Sequence, residues 1–264
     1  MNQYQEYCRL QKNKLLNSLL VWTIIVALTV WAYMDNSLNI SMLINGIGNI
    51  AQFIYVDMMP PDFSQAPLYI KPVFETLYMS FIALLLSVAI SMILGILAAK
   101  NTTPHTAIAL ISRGIISFIR AVPSMVAGLF FVATFGIGVF AGIIALGVAG
   151  IGILGKAYAD SIEEIESGQL EAIRSSGASW FQMLGQGVWP QLKPSFISWT
   201  FYKFDTNIRD AAVIGLIGAG GIGYYLNGSI KLFQYKEAAF GIFLIFLLII
   251  IVEYMTSRLR KRAL

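Results

Sequence analysis

The sequence predicts an all-α, polytopic membrane protein with about six transmembrane helices. Of its 264 residues, 57% are hydrophobic and only 12% are charged, about half of the charged fraction that is usual in soluble domains. The apolar residues form several runs of about twenty, the length that an α-helix needs to cross a bilayer. The basic residues cluster at the ends of these runs. These observations exclude a large soluble enzyme and a disordered chain, and a single cysteine excludes a disulfide scaffold.

The first predicted span covers residues 15–34, and three cations precede it. The apolar run is too long for a signal peptide and lacks a small-residue cleavage site, so we expect the span to be retained. Basic residues before a span place the N-terminus in the cytoplasm. Residues 35–74 contain four prolines, which predict an external loop without regular helix. The exception is a short interfacial helix that we expect within 40–55.

The remaining apolar runs return the chain across the membrane several times. Residues 106–135 would form about 45 Å of helix, too long for one straight span. We therefore expect their first part to lie at the cytoplasmic interface and Pro123 to mark a kink or break. Small residues repeat every four positions from Gly138 onwards, which lets helices approach closely in lipid. The predicted later spans are residues 75–99, 106–135 with its break, 138–156, 192–210 and 238–255.

The distribution of charge fixes the predicted orientation. Most of the 18 cations fall on one side of this map, at span ends and in the basic C-terminal tail. The positive-inside rule makes that side cytoplasmic, with both termini there. The formal net charge of +4 is then explained by membrane topology, and nucleic acid is not an expected partner.

An acidic segment contradicts this charge bias. Residues 157–193 lie on the predicted cytoplasmic side, yet five of the chain's 14 acids fall within twelve residues there. Apolar residues alternate with them, which predicts short amphipathic helices separated at Gly168 and Gly177. Because an apolar stripe on such a helix needs a covering groove, we interpret the segment as a docking site for a partner. The alternative is a solvated loop. The acids are Asp160, Glu163, Glu164, Glu166 and Glu171; the apolar residues are Ile162, Ile165, Leu170, Ile173, Phe181 and Leu184.

The same segment resembles the Glu-Ala-Ala loop of ABC importer membrane subunits. The resemblance depends on Glu171-Ala172-Ile173, then Gly177, then Trp189-Pro190. Two further stretches, Arg120-Ala121-Val122-Pro123 and residues 209–223, are similar to the phosphonate permease branch of these importers. The resemblance covers the chain from about residue 75 to the C-terminus and implies a type I importer fold like that of methionine permeases.

The resemblance implies a domain organisation, a location and partners. Residues 75–264 would be the importer transmembrane domain, with a coupling loop at 157–193; residues 1–74 would be a tail, the first span and an external loop. The chain would work in a bacterial inner membrane as a homodimer, below a periplasmic or lipid-anchored solute-binding protein. Two cytoplasmic ATPase subunits would bind ATP and Mg²⁺, whereas this chain would bind no cofactor.

The implied function is import of a phosphonate or of a smaller phosphorus oxyanion such as phosphite or hypophosphite. Alternatives are an importer permease for an amino acid or a quaternary amine, a secondary transporter or channel that works alone, and a membrane-embedded enzyme. The sequence has no Walker-type phosphate loop, metal-ligand cluster or Gly-x-Ser-x-Gly turn, so we do not expect the chain to be an enzyme.

Two groups of candidate site residues follow. In the coupling loop, the resemblance implies that Glu171 is a docking or orienting charge, Gly177 a turn, and Pro190 the stop before the next span. The full predicted coupling set is Glu163, Glu164, Glu171, Ala172, Gly177 and Pro190.

The second group is a hypothetical translocation path or gate. Asp205 and Arg209 are four residues apart and are predicted to pair on one helical face. Ionisable residues near the spans, such as Lys203, have two possible roles. They either form ion pairs that stabilise the fold, or they act in transport, in which case Arg120 and Arg209 ease the passage of an oxyanion. The glycine run 218–223 fits a dinucleotide-binding motif but lacks its βαβ context, so we interpret it as a gate. The predicted path is Arg120, Pro123, Ser124, Arg209, Asp210, Gly218, Gly220, Gly221 and Gly223.

Overall fold

The computed structural model describes residues 2–35 and 40–263, nearly all of them helical and none in a strand. This confirms the all-α prediction. Short 3₁₀ and π-helical turns (Phe63–Gln65, Phe53–Met58 and Met183–Val188) connect some of the helices. The helices are α1 (Asn2–Asp35), α2 (Ile40–Gln52), α3 (Ala66–Ala98), α4 (Thr106–Ala121), α5 (Ser124–Phe135), α6 (Val139–Glu163), α7 (Ser167–Ser175), α8 (Trp180–Gln182), α9 (Trp189–Gly215), α10 (Gly221–Lys231) and α11 (Tyr235–Ala263).

The residues up to Asp57 form a unit of their own. Within it, α1 contains a stretch, Lys14–Ala32, that is long and apolar enough to cross a membrane, with a mean hydropathy of 2.0 and no buried side chain. A helix whose apolar side chains are uncovered on every face is suited to lipid on every face. The predicted first span is thus confirmed as an apolar helix, and α2 confirms the short helix expected within 40–55.

In the second unit, from Met58 onwards, α6 lies at the centre with α3, α4, α5 and α9 packed against it. Its glycines allow the close approach that their spacing predicts. A Cβ added to Gly142, which belongs to that spacing, would lie 2.8 Å from the Ala219 carbonyl oxygen, and one added to Gly152, further along α6, would lie 2.8 Å from Cγ of Arg120. Because both distances are shorter than van der Waals contact, the helices could not pack so closely around larger residues.

One helix boundary differs from the sequence prediction. The second predicted span starts at residue 75, whereas α3 starts at Ala66 and includes two of the prolines. Pro67 lies in the first turn, where a backbone N–H has no helical partner to lose. Pro72 lies inside the helix, and the helix continues through it. The expectation that prolines exclude regular helix up to residue 74 is therefore wrong.

The break at Pro123 is confirmed. Helices α4 and α5 meet at an angle of 87°, and Pro123 occupies the N-cap position of α5. The other helices exceed their predicted spans: α6 continues seven residues past Lys156, and α9 extends the predicted 192–210 at both ends.

Hydropathy supports part of the predicted span count. Within the described residues, four helices are long and apolar enough to cross a membrane, or five if the bent pair α4 and α5 is one span. Helix α9 has 27 residues, about 40 Å at the usual rise, but five of its residues are charged and it does not qualify. The total of six spans stays a prediction.

Candidate functional site

The acidic segment folds as short helices that are set by local capping. The turn between α7 and α8 contains Gly177 at φ +83°, a conformation that favours glycine. Ser179 then starts α8 with a capping box: its hydroxyl accepts from the Gln182 amide while the Gln182 side chain accepts from the Ser179 amide. The predicted break at Gly177 is confirmed. The one at Gly168 is wrong, because Gly168 is the second residue of α7 and the chain breaks at 164–166 instead.

The apolar residues of the segment mostly face their own chain. Five of the six that predict an amphipathic pattern pack into one core with the ends of α3 and α6 and the start of α9. The inference that this stripe needs a partner's groove is wrong for these five, since they are already covered. Phe181 is the exception: 78% of it is exposed. The five covered residues are Ile162, Ile165, Leu170, Ile173 and Leu184.

The exposed side of the segment carries most of the predicted coupling residues. Glu164, Glu171, Ala172, Gly177 and Pro190 are all exposed. We call Glu171, Ala172 and Phe181 the docking face. Because these exposed residues combine a carboxylate with a largely exposed aromatic ring outside the apolar helices, they suit a protein partner better than they suit lipid.

Glu163 belongs to a different surface. Its carboxylate accepts a hydrogen bond from the Lys100 amide at 2.7 Å and forms an ion pair with Arg113 of α4. Both members of the ion pair are about one-third exposed. The carboxylate of Glu163 therefore binds groups of its own chain, and Glu163 is not part of the docking face with which the sequence prediction grouped it.

Residues of helix α9 form three ion pairs. Asp205 and Arg209 are 2.7 Å apart, which confirms the predicted pair, and Arg209 also lies 3.4 Å from Glu253 of α11. The ammonium of Lys203 is completely buried, 3.6 Å from the carboxylate of Asp210. Such a counter-charge offsets part of the free-energy cost of removing a cation from water.

Sequence reasoning missed Asn207, which lies between these pairs. Its side chain is fully buried, and its amide donates to the Ser80 carbonyl at 3.1 Å. The position four residues after Lys203 puts both polar side chains on one helical face. That spacing is the signal that could have identified it.

Arg120 is the cation of the predicted path that has no counter-charge. It is exposed in the last turn of α4 and forms no ion pair with the described part of the chain. Pro123 and Ser124 follow at the elbow. Arg209, by contrast, is neutralised by two carboxylates, and the structure does not bring it into contact with Arg120.

The glycine run forms a buried turn that leads into α10. Gly218, Gly220 and Gly221 have positive φ angles of 104°, 81° and 68°. The first amides of α10 are capped by α3: Gly221 donates to the Glu75 carboxylate at 3.3 Å and Ile222 to the Thr76 hydroxyl at 3.0 Å. These contacts use the amides that a dinucleotide phosphate would need.

Among the described residues, no group of three or more His, Cys, Asp or Glu side chains lies close enough to hold a metal ion. An apolar groove of about 420 Å³ lies in the elbow of α4 and α5, and its lining contains no charged residue.

The sequence matches the family model described as binding-protein-dependent transport system inner membrane component over residues 91–263. It is 36% identical over 224 residues to the phosphite transport system permease protein of Stutzerimonas stutzeri, with 85% of this chain and 81% of that protein covered. It is 36% identical over 210 residues to the phosphate-import permease protein of Mycolicibacterium smegmatis, covering 79% of this chain and 40% of that one. The fold is similar to that of a methionine ABC transporter solved in inward-facing conformations, with a TM-score of 0.68, 20% identity, and 77% and 99% of the two chains covered.

Proposed function

The chain belongs to the family of binding-protein-dependent transport system inner membrane components, and on that premise we propose that it is the permease subunit of an ABC importer for phosphite, phosphonate or a related phosphorus oxyanion. The observation that carries the proposal is the 36% identity to a phosphite permease over 85% of this chain. The likeness to a methionine transporter supports the fold alone, because the identity there is 20%.

The partners that we propose are inferred from this family membership. Two copies of the chain form the transmembrane pore in the inner membrane, and a solute-binding protein delivers the oxyanion from outside. Two ATPase subunits bind ATP and Mg²⁺ on the cytoplasmic side, so the energy of hydrolysis comes from them and this chain is no enzyme. Closure of the ATPases drives the alternation between outward and inward openings.

The docking face is our candidate for the ATPase contact. Phe181 lies in α8, its ring is 78% exposed, and its aromatic contact is with Trp180, with the ring centroids 4.9 Å apart. A buried aromatic anchor surrounded by polar contacts is the common arrangement of interface hot spots. The ATPase surface that fits it is an apolar cleft with a basic rim opposite Glu171. Because the other side of α7 packs on the core of this chain, a push on the docking face reaches the membrane helices.

The ion pairs in the structure reduce the number of arginines that are candidates for the translocation path. An oxyanion that crosses the membrane benefits from an unpaired cation, since a cation that is already neutralised has less attraction to offer. Arg120 meets this condition, whereas Arg209 is occupied by Asp205 and Glu253. We therefore assign the anion contact to Arg120 and a structural role to Arg209.

Co-purification tests the importer assignment. A tagged chain expressed together with its neighbouring genes is expected to bring down an ATPase subunit, and cells that depend on it are expected to grow on phosphite as the phosphorus source. Glu171→Lys should abolish that growth. If no ATPase is recovered and the Glu171→Lys strain grows normally on phosphite, the assignment is wrong.

A further inference from the structure

The short turn between α3 and α4 is bonded to the acidic segment at three consecutive residues. Each of residues 100–102 makes a main-chain hydrogen bond with a side chain from a different helix of the segment: the end of α6, then α7, then α8. The Lys100 amide donates to Glu163 at 2.7 Å, the Asn101 carbonyl accepts from Arg174 at 2.8 Å, and the Thr102 carbonyl accepts from the indole N–H of Trp180 at 2.7 Å.

The turn is itself rigid. The Thr102 side chain is fully buried, and its hydroxyl donates to the Ile96 carbonyl at 2.7 Å. The amides of Thr102 and Thr103 both donate to the Ala99 carbonyl. The Asn101 side chain donates to the Ile162 carbonyl at 2.6 Å, which adds a further bond to the end of α6.

An apolar core lies beneath these hydrogen bonds. Ala99 is completely buried in the cluster that also contains Leu170 of α7 and Met183 after α8. Well-packed apolar contacts resist deformation, whereas hydrogen bonds fix direction and register. The turn and the segment are therefore held by both kinds of contact.

A charged contact extends the link to α4. Arg113 forms the ion pair with Glu163, and its Nε donates to the Ala98 carbonyl at 2.8 Å. A single arginine thus joins α4 to the last residue of α3 and to the end of α6. Hydrogen bonds between charged partners that are partly removed from water are stronger than neutral ones.

The covalent connections alone would transmit motion poorly. Helix α7 is linked to α6 through 164–166 and to α8 through 176–179, both short irregular stretches. Such stretches act as hinges, so α7 could turn without displacing α3. The side-chain bonds to residues 100–102 remove that freedom.

We propose that the turn at residues 99–103 is a second route by which displacement of the coupling segment reaches the membrane helices, with Trp180, Arg174 and Glu163 as the positioning residues. This inference rests on the proposed importer function. In each transport cycle the turn moves with the segment as one body and carries the ends of α3 and α4 with it. The ATPase displaces the docking face, and Trp180, Arg174 and Glu163 transmit that displacement to the turn at residues 99–103.

The first test measures coupling in the purified complex of permease, ATPase and binding protein, reconstituted in liposomes. Trp180→Phe keeps a six-membered aromatic ring but removes the five-membered ring that carries the N–H. We therefore expect assembly and ATP hydrolysis to persist while the ATP hydrolysed per solute imported rises about two- to tenfold, the effect of one lost hydrogen bond. Trp199→Phe is the matched control, because Trp199 lies in α9 outside the coupling loop and no hydrogen bond of its indole occurs among the described residues. An unchanged ratio in Trp180→Phe overturns the inference.

Conservative replacement of Glu163 separates positioning from general stability. Glu163→Gln keeps an oxygen that can accept from Lys100, so it should restore most of the coupling that Glu163→Ala loses. Equal ratios in both variants contradict a positioning role. If the wild-type complex neither imports phosphite nor hydrolyses ATP, the proposed function fails instead.

A second measurement does not depend on transport. In hydrogen–deuterium exchange of the detergent-solubilised chain, Trp180→Phe should accelerate exchange at the amides of 102–103 as well as at 180–183, again about two- to tenfold. Faster exchange confined to 180–183 would show that the turn and the segment are mechanically independent, and the inference would be wrong.

Discussion

The ammonium of Lys203 lies 3.6 Å from the carboxylate of Asp210, two turns along the same helix, and has no exposed surface. The side chain of Asp210 is 28% exposed, so the two members of the pair differ in their access to water. Removing the carboxylate leaves a buried charge without compensation, whereas removing the ammonium leaves a carboxylate that water can reach.

This asymmetry predicts an order of stabilities. Asp210→Asn should lower the free energy of unfolding by about 3 kcal/mol, the usual cost of an unpaired buried charge, whereas Lys203→Met should cost clearly less. Thermal unfolding of the detergent-solubilised variants measures the difference, and Lys193→Met, an exposed lysine of the same helix, should match the wild type. A larger loss in Lys203→Met than in Asp210→Asn would contradict this description of the pair.

The end of α9 depends on the absence of a side chain at Gly215. A Cβ there would lie 2.7 Å from the Gly220 carbonyl and 2.8 Å from Cα of Gly223. Since both neighbours are backbone and cannot rotate away, Gly215→Ala should destabilise the fold by about 1–3 kcal/mol. The control is Gly114→Ala, in the middle of α4 with open space around it, which should be neutral or slightly stabilising. Equal unfolding temperatures for the two variants would refute the packing argument.

Phe181 should account for much of the affinity for the ATPase. Phe181→Ala removes a ring that is 78% exposed and that contacts the segment through Trp180, and truncation of an aromatic hot spot costs about 2 kcal/mol or more in binding. We expect the dissociation constant of the permease–ATPase complex to rise by at least about tenfold. Phe233→Ala is the matched control, since Phe233 is equally exposed, at 76%, in the connection between α10 and α11. Weakening by both variants alike would argue against a specific docking face.

Substitutions of Arg120 and Arg209, the two arginines of the predicted path, should have different effects: the first on transport and the second on stability. Arg120→Gln removes an unpaired cation, so the rate of phosphite uptake should fall while thermal stability stays within about 0.5 kcal/mol of the wild type. Arg209→Gln leaves Asp205 largely buried and unpaired, so its main effect should be lower stability. Normal phosphite uptake in Arg120→Gln would remove this residue from the path.

The sequence was informative where one residue type decides the local geometry. Pro123 cannot continue α4, Gly177 adopts a positive φ, and Asp205 and Arg209 are fixed as neighbours by helical spacing. The α3 boundary was missed for the opposite reason. Pro67 terminates a helix or starts one depending on where the first turn falls, and the sequence alone does not specify that register.

The acidic segment shows another limit. Periodicity indicates that one face of α7 is apolar, but it does not say which body covers that face. Here the chain covers it itself, and only Phe181 remains outside. The bond between Trp180 and Thr102 joins residues 78 positions apart, so no local pattern could have predicted it.

ATP-driven uptake of labelled phosphite into proteoliposomes tests the central claim most directly. The chain would be reconstituted with the ATPase and binding protein encoded beside it. We expect uptake that requires ATP, is competed by unlabelled phosphite or a phosphonate but not by methionine, and is lost in Glu171→Lys. Uptake that proceeds without ATP, or that is unchanged in Glu171→Lys, would contradict an ATPase-coupled permease for phosphorus oxyanions.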